Sequence, residues 1–182
     1  MKKQVSFILL AAAIIISAIG CDQRSEDNSL PSTSIVSIPE SVLLKTKPEG
    51  SVSISQARNS AKPGDTIVVS GEIGGRKNDT FSPTLSTFFL ADSDAIMNCI
   101  KKHGSDGCPT PWDYCCEPKE KVIASIAFIQ FKSQEIGKVA TQSFRGWNGL
   151  KELSQVTIKG TVDSTSSPNA IIINLEGIYI QP

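Results

Sequence analysis

Four of the five cysteines crowd into one stretch, Cys99-x8-Cys108-x6-Cys115-Cys116, inside IMNCIKKHGSDGCPTPWDYCCEPKE. Thiols so placed can oxidise in pairs to disulfides or, as thiolates, ligate soft and borderline metals. An even number of cysteines in a turn-rich run points first to two disulfides. A direct Cys115–Cys116 bond needs a strained peptide, so each of these two pairs with Cys99 or Cys108. Two connectivities satisfy that condition, and the spacing does not choose between them. Bridges of this kind are typically worth ~2–4 kcal/mol each and would staple the excursion. The alternative is a zinc or copper(I) site drawn from Cys99, His103, Cys108, Cys115 and Cys116. Against it, no C-x2-C pair occurs, and adjacent cysteines make poor two-ligand arms for one tetrahedral ion. Trp112 and Tyr114 are expected to pack on the sulfurs or lid the domain, with presentation to a partner as the other use.

Other catalytic chemistry has little to build on. His103 is the single imidazole and sits in a KKHGSDG turn. No G-x-S-x-G, HExxH or phosphate-cradling loop occurs, and without C-x-x-C neither thioredoxin-type redox chemistry nor covalent haem is indicated. Gly74-Gly75-Arg76 reads as a turn before a polar loop. Asp92 and Asp94 could share calcium or hydrolytic work, but a solvated loop edge is the plainer expectation. The reading is therefore non-enzymatic, with no catalytic residue and no cofactor.

The fifth cysteine belongs to a different pattern. Met1-Lys2-Lys3-Gln4 is a short positive run, Val5 to Ile19 is apolar apart from Ser6 and Ser17, and Ala18-Ile19-Gly20-Cys21 follows. So short an apolar run fits an export signal better than a transmembrane helix. The pattern resembles the bacterial lipoprotein signal, with Ile19, Gly20 and Cys21 on the lipobox and Ala18 in place of its usual Leu. That resemblance implies cleavage after residue 20 and lipidation of Cys21, with diacylglycerol on the sulfur and an acyl group such as palmitate on the amine. Several chains give stable anchoring where one is marginal. The mature chain would carry 16 basic against 18 acidic residues, which argues against a dedicated polyanion binder. Residues 21–51 begin with a Ser-, Asp- and Pro-rich run and read as a flexible tether, spanning on the order of 30 Å. Within it, Ile35–Ile38 and Ser41–Leu44 are apolar enough to dock on the domain.

Residues 52–182 then carry strand patterning. Ser53-Ile54-Ser55-Gln56 is a capping box opening a short helix that Pro63-Gly64 stops. Ile67, Val69 and Ile73 alternate with Ser70 and Glu72, giving a half-buried strand bent at Gly71. Leu85 to Ala91, Val122 to Phe131 and a short return strand over Lys138 to Phe144 are expected next. Gln155 to Asp163 alternates cleanly, with Val156, Ile158 and Val162 inward. Ala170 to Ile180 closes the chain, with a bulge near Gly177. Such an order predicts a mostly β, OB-fold-like barrel of five to six strands, with one or two short helices and a cysteine-rich insertion over residues 92–120. A small β-sandwich is the competing architecture. Arg145 to Ser154 falls where an OB-fold places a helix.

The string C-P-T-P-W-D-Y-C-C-E, with G-D-T-I-V-V-S-G-E-I-G-G upstream, resembles a group of exported proteins of planctomycete-type bacteria. In these, C-[ST]-x-P-W-D-Y-C-C sits in a small OB-like domain behind a lipoprotein signal. The resemblance implies fold and location and adds no catalytic residue. Residues 92–120 hold six acids against three lysines, which opposes phosphate binding, so a single-stranded nucleic acid is disfavoured as partner. The sequence thus predicts an extracytoplasmic, membrane-anchored module that binds an envelope protein, peptide or glycan, or that serves the envelope structurally. The metal site stands as the alternative.

Overall fold

The computed structural model describes residues 35–78, 80–104 and 107–182. The expected signal over 1–20 and the lipidation site Cys21 lie outside the described residues. Among the described residues, no helix is long and apolar enough to cross a membrane.

Five strands make a closed barrel: β1 (Thr66–Ile73), β2 (Thr87–Ala91), β3 (Ile126–Gln130), β4 (Gln155–Val162) and β5 (Ile171–Ile180). Around the barrel the order is β1-β2-β3-β5-β4, returning to β1. All pairs are antiparallel except β3 with β5. This is the OB-fold-like barrel that the strand order in the sequence predicts. Closure leaves no exposed sheet edge, which suits a small domain that must not aggregate. Inward Ile73, Leu90, Ile129, Ile158, Ile173 and Ile178 fill the interior. Gly71 is required where β1 crosses β2, since a Cβ there would stand 2.4 Å from the Ala91 carbonyl oxygen. The register of β4 against β5 shifts so that Lys159 faces Gly177 while Gly160 faces Leu175. The expected bulge therefore sits beside Gly177.

Helix α1 (Ile54–Ser60) starts at Ser53, whose side chain accepts from the Gln56 amide while Gln56 answers the Ser53 amide. Two elements differ from expectation. Lys119–Ala124 is a helix, α3, so the β3 strand begins only at Ile126. Pro118 opens that helix by accepting from the Val122 amide. Lys138 to Phe144 forms a single bridge, Lys132 to Val139, rather than a strand. The chain leaves the sheet there because Phe144 turns into the core, edge-on to Phe88 at 5.2 Å and to Trp147 at 5.6 Å. A 3-10 turn over Trp147–Gly149 replaces the helix anticipated between strands three and four.

The tether expectation needs correction for its second half. Ile38 and Val42 are buried in the barrel core, and the Leu44 amide donates to the Ile178 carbonyl at 2.8 Å. Val36 exchanges hydrogen bonds with Thr141, and Gln142 accepts from the Ile38 amide at 2.7 Å. The apolar spacing of Val36, Ile38 and Val42 outweighs the polar composition around them. Docking of these two segments makes residues 35–51 part of the domain.

Candidate functional site

The cysteine excursion caps one end of the barrel. It leaves β2, forms the short helix α2 (Cys99–His103), crosses a 3-10 turn over Pro111–Asp113 and returns through α3. Its own small core is Ala91, Ile96, Tyr114 and Val122, with Ile126 against it. Gly74 and Gly75 let the cap settle on β1. A Cβ at Gly74 would stand 2.7 Å from the Trp112 carbonyl oxygen, and the Gly75 amide donates to that same oxygen at 2.7 Å. These glycines serve close approach of two backbone segments.

Glu72 fastens the cap from below. It is 2 % exposed and accepts from Asn98 Nδ2 at 2.6 Å, Tyr114 Oη at 2.8 Å and Lys101 Nζ at 2.8 Å. Gln155 Nε2, on β4, is its fourth donor. Charge-assisted bonds of this kind are the strong ones, and the carboxylate has no spare lone pairs to leave unmet. Sequence alternation turns Glu72 outward; the cap folds over that face and buries it. Asn98 also caps α2, its Oδ1 accepting from the Lys101 amide. Tyr114 is a buried strut whose hydroxyl donates to Glu72, which takes it out of any partner-binding role. Burial first, then the Glu72 charge, pushes its phenol far above the ordinary range, so it stays a donor. Trp112 is half-buried, with Nε1 donating to the Lys77 carbonyl at 3.2 Å.

Four thiols converge on this cap. Cys99 Sγ lies 3.1 Å from Cys116 Sγ and 3.4 Å from Cys115 Sγ; Cys108 Sγ lies 3.8 Å from Cys115 Sγ. All four are free cysteines, and no pair stands near the ~2.05 Å of a disulfide. Neither of the two bridges expected from the spacing stands at bonding distance here: Cys99 Sγ faces both Cys115 and Cys116. Donor atoms of Cys99, Cys108, Asp113 and Cys115 all lie within 4.8 Å of one another. His103 is not in this group. It is exposed at the end of α2, so the Cys/His donor set is corrected to a Cys/Asp set.

Burial raises the Cys99 thiol, but hydrogen bonds from Cys116 and then Cys115 outweigh it and hold the group below the ordinary thiol range. Cys115 is pushed well up, by its hydrogen bonds to Cys99 and then to Asp113. Cys116 is raised too, chiefly by its hydrogen bond to Cys99, so Cys99 ionises before Cys115 and Cys116. Beside them a hollow of about 270 Å³ opens to solvent between Arg76, Asp113, Cys115, Glu117 and Val122.

Asp92 is a buried tie, not the solvated edge that its loop position suggests. It accepts from the Ser55 amide at 2.9 Å and the Ser55 hydroxyl at 2.7 Å, and from the Asp94 amide at 3.1 Å. Asp94 is exposed and contributes no second carboxylate to that point. Glu72 and Asp113 are the site residues that sequence reading did not single out. The signal for Asp113 was its place inside W-D-Y-C-C. For Glu72 it was an acid in a strand whose neighbours, Gly71 and Gly74, make room for another segment. No protein-family model, curated protein or solved structure matches the chain.

Proposed function

We propose that this chain is a lipid-tethered, non-catalytic binding module of the bacterial cell envelope, with the cysteine cap as its working end. The observation that carries the reading is the attachment of the cap: a mostly irregular excursion is pinned rigidly over one barrel end by Glu72. A fixed loop platform on a closed, side-chain-filled barrel suits recognition, because little ordering entropy is left to lose on binding. The buried carboxylates favour a non-catalytic role. Glu72, Asp92 and Asp163 are all engaged by protein donors and hold structure together. Lys101 and Lys102 are paired with Glu72 and Glu117, which removes two cations a nucleic acid would need. The anchor rests on Ile19-Gly20-Cys21.

Fractionation of cells making the full chain tests this reading. The wild-type protein is expected in the membrane fraction with a diacylglyceryl-bearing Cys21 by intact mass, and Cys21→Ser in the soluble fraction. A wild-type chain that is soluble and starts elsewhere would sink the tethered module. A second reading, a soft-metal site, is favoured by the mutual reach of the cap's donor atoms.

A further inference from the structure

We propose that Cys99, Cys108 and Cys115, with Asp113 as fourth donor, form a tetrahedral site for a thiophilic divalent cation, zinc foremost. The proposal names the ligand class of the cap and rests on the cap being the working end.

Geometry is the first support. Zinc bound at about 2.3 Å by thiolates at tetrahedral angles holds its sulfurs roughly 3.8 Å apart. Cys115 Sγ stands 3.4 Å from Cys99 Sγ and 3.8 Å from Cys108 Sγ, and the Asp113 carboxylate lies within the same 4.8 Å cluster. These are separations that ligands of one ion adopt.

Three of the four donors, Cys99, Asp113 and Cys115, are also positioned by the residues around them. Asn98 caps the turn that carries Cys99, and its other amide atom is held by Glu72. Tyr114, held by the same carboxylate, adopts a left-handed φ of 56° that turns the chain between Asp113 and Cys115. The Asp113 carboxylate is oriented by Thr110 Oγ1, donating to Oδ2 at 2.8 Å, and by the Cys115 amide, donating to Oδ1 at 2.9 Å. Oriented carboxylates of this kind are the outer support that metal sites use. The hollow beside Asp113 and Cys115 gives an ion a way in.

The donor types choose the ion. Three thiolates exclude magnesium and calcium, which take oxygen ligands. A carboxylate oxygen completing four donors favours zinc over copper(I), for which soft sulfur ligands are preferred. Binding displaces the thiol protons to solvent, so uptake is coupled to proton release. His103 is outside the cluster and takes no part. Cys116 Sγ, 3.1 Å from Cys99 Sγ, is a neighbouring thiol rather than a fourth member of the set.

The test uses the full chain, reduced under anaerobic conditions and titrated with cobalt(II), then with zinc. One cobalt per chain is expected, with thiolate-to-metal charge transfer and the visible bands of tetrahedral cobalt, both displaced by zinc. Cys99→Ser, Cys108→Ser and Cys115→Ser should each abolish the tetrahedral spectrum. Thr110→Val should weaken binding by roughly ten-fold, as loss of an outer-shell partner does. His103→Ala should leave the affinity unchanged. Cobalt uptake equal to that of the triple serine variant overturns the site, and so does loss of the spectrum in His103→Ala. Chain isolated from membranes with Cys99, Cys108, Cys115 and Cys116 all oxidised would likewise overturn it. Each of those failures leaves membrane attachment through Cys21 intact, whereas a soluble wild-type chain that still binds cobalt refutes the tether alone.

Discussion

Two buried carboxylates organise this molecule, and the pattern around each is readable only in three dimensions. Glu72 gathers Asn98, Lys101, Tyr114 and Gln155, which come from three separate stretches of chain. Removing its oxygens strands several buried polar groups, each costing about 1–3 kcal/mol. Glu72→Ala is therefore expected to lower the denaturant midpoint strongly and to raise hydrogen exchange over residues 96–116 well beyond that of the barrel strands. Equal exposure of cap and barrel would refute the strut. Asp163 makes a second knot, held by Lys132 Nζ at 2.6 Å, Thr165 and Asn174. The Lys132 bond first, and Thr165 next, hold its carboxyl far below the usual range. Its folded value lies below the unfolded one of ~3.9, so its contribution is complete above that pH. The contribution is lost as pH falls towards the folded value. Asp163→Asn should flatten the fall in stability below about pH 4, measured by denaturant titration at stepped pH. Alternation along β4 places Asp163 just past the strand end and says nothing of Lys132, which arrives from the segment after β3.

Elements were legible where their signals are local. The Ser53/Gln56 capping box sets the start of α1 at its observed place, because every contact involved lies within one turn, and the helix ends at Ser60, three residues before Pro63. Ser53→Ala should cost about 1 kcal/mol, read as a midpoint shift. An unchanged midpoint would mean the cap contributes nothing to the fold. Strand β4 was equally legible, since Val156, Ile158 and Val162 alternate inward as observed. The run Val122 to Phe131 misled because Val122 and Ile123 are apolar whether helical or extended. Pro118 sits at the N-cap, where its carbonyl takes the Val122 amide, and Val122 packs under the cap beside Tyr114. Lys138 to Phe144 failed as a strand for a partly non-local reason. Its start bonds the nearby Phe131 and Ser133, but Ala140 and Thr141 also bond Ser86 and Val36, which belong to distant segments.

At the scale of the whole molecule, the N-terminal segment changes where the domain begins. Composition makes residues 21–51 a tether, yet Ile38 and Val42 are each 4 % exposed and Leu44 fills the space over Gly177. Docking from Val36 onward therefore puts the start of the folded domain before residue 52. The only trypsin site between Cys21 and Lys45 is Arg24, and Lys45 is exposed just beyond the docked Leu44. Protease access to Lys45 requires Leu44 to leave the Ile178 carbonyl, because a bound peptide must be extended and free on both sides of the cut. Tryptic digestion under native conditions should therefore leave a stable fragment that starts at Ser25. Cleavage at Lys45 should be slow in the wild type. Ile38→Asp places an unpaired charge in the core and should release the segment, making Lys45 the fast site and yielding a fragment that starts at Thr46. Equal, rapid cleavage at Lys45 in both proteins would return residues 35–51 to the tether and refute their place in the core. Retention of the barrel's circular dichroism in Ile38→Asp, alongside the faster cut, would separate release of the segment from unfolding of the whole.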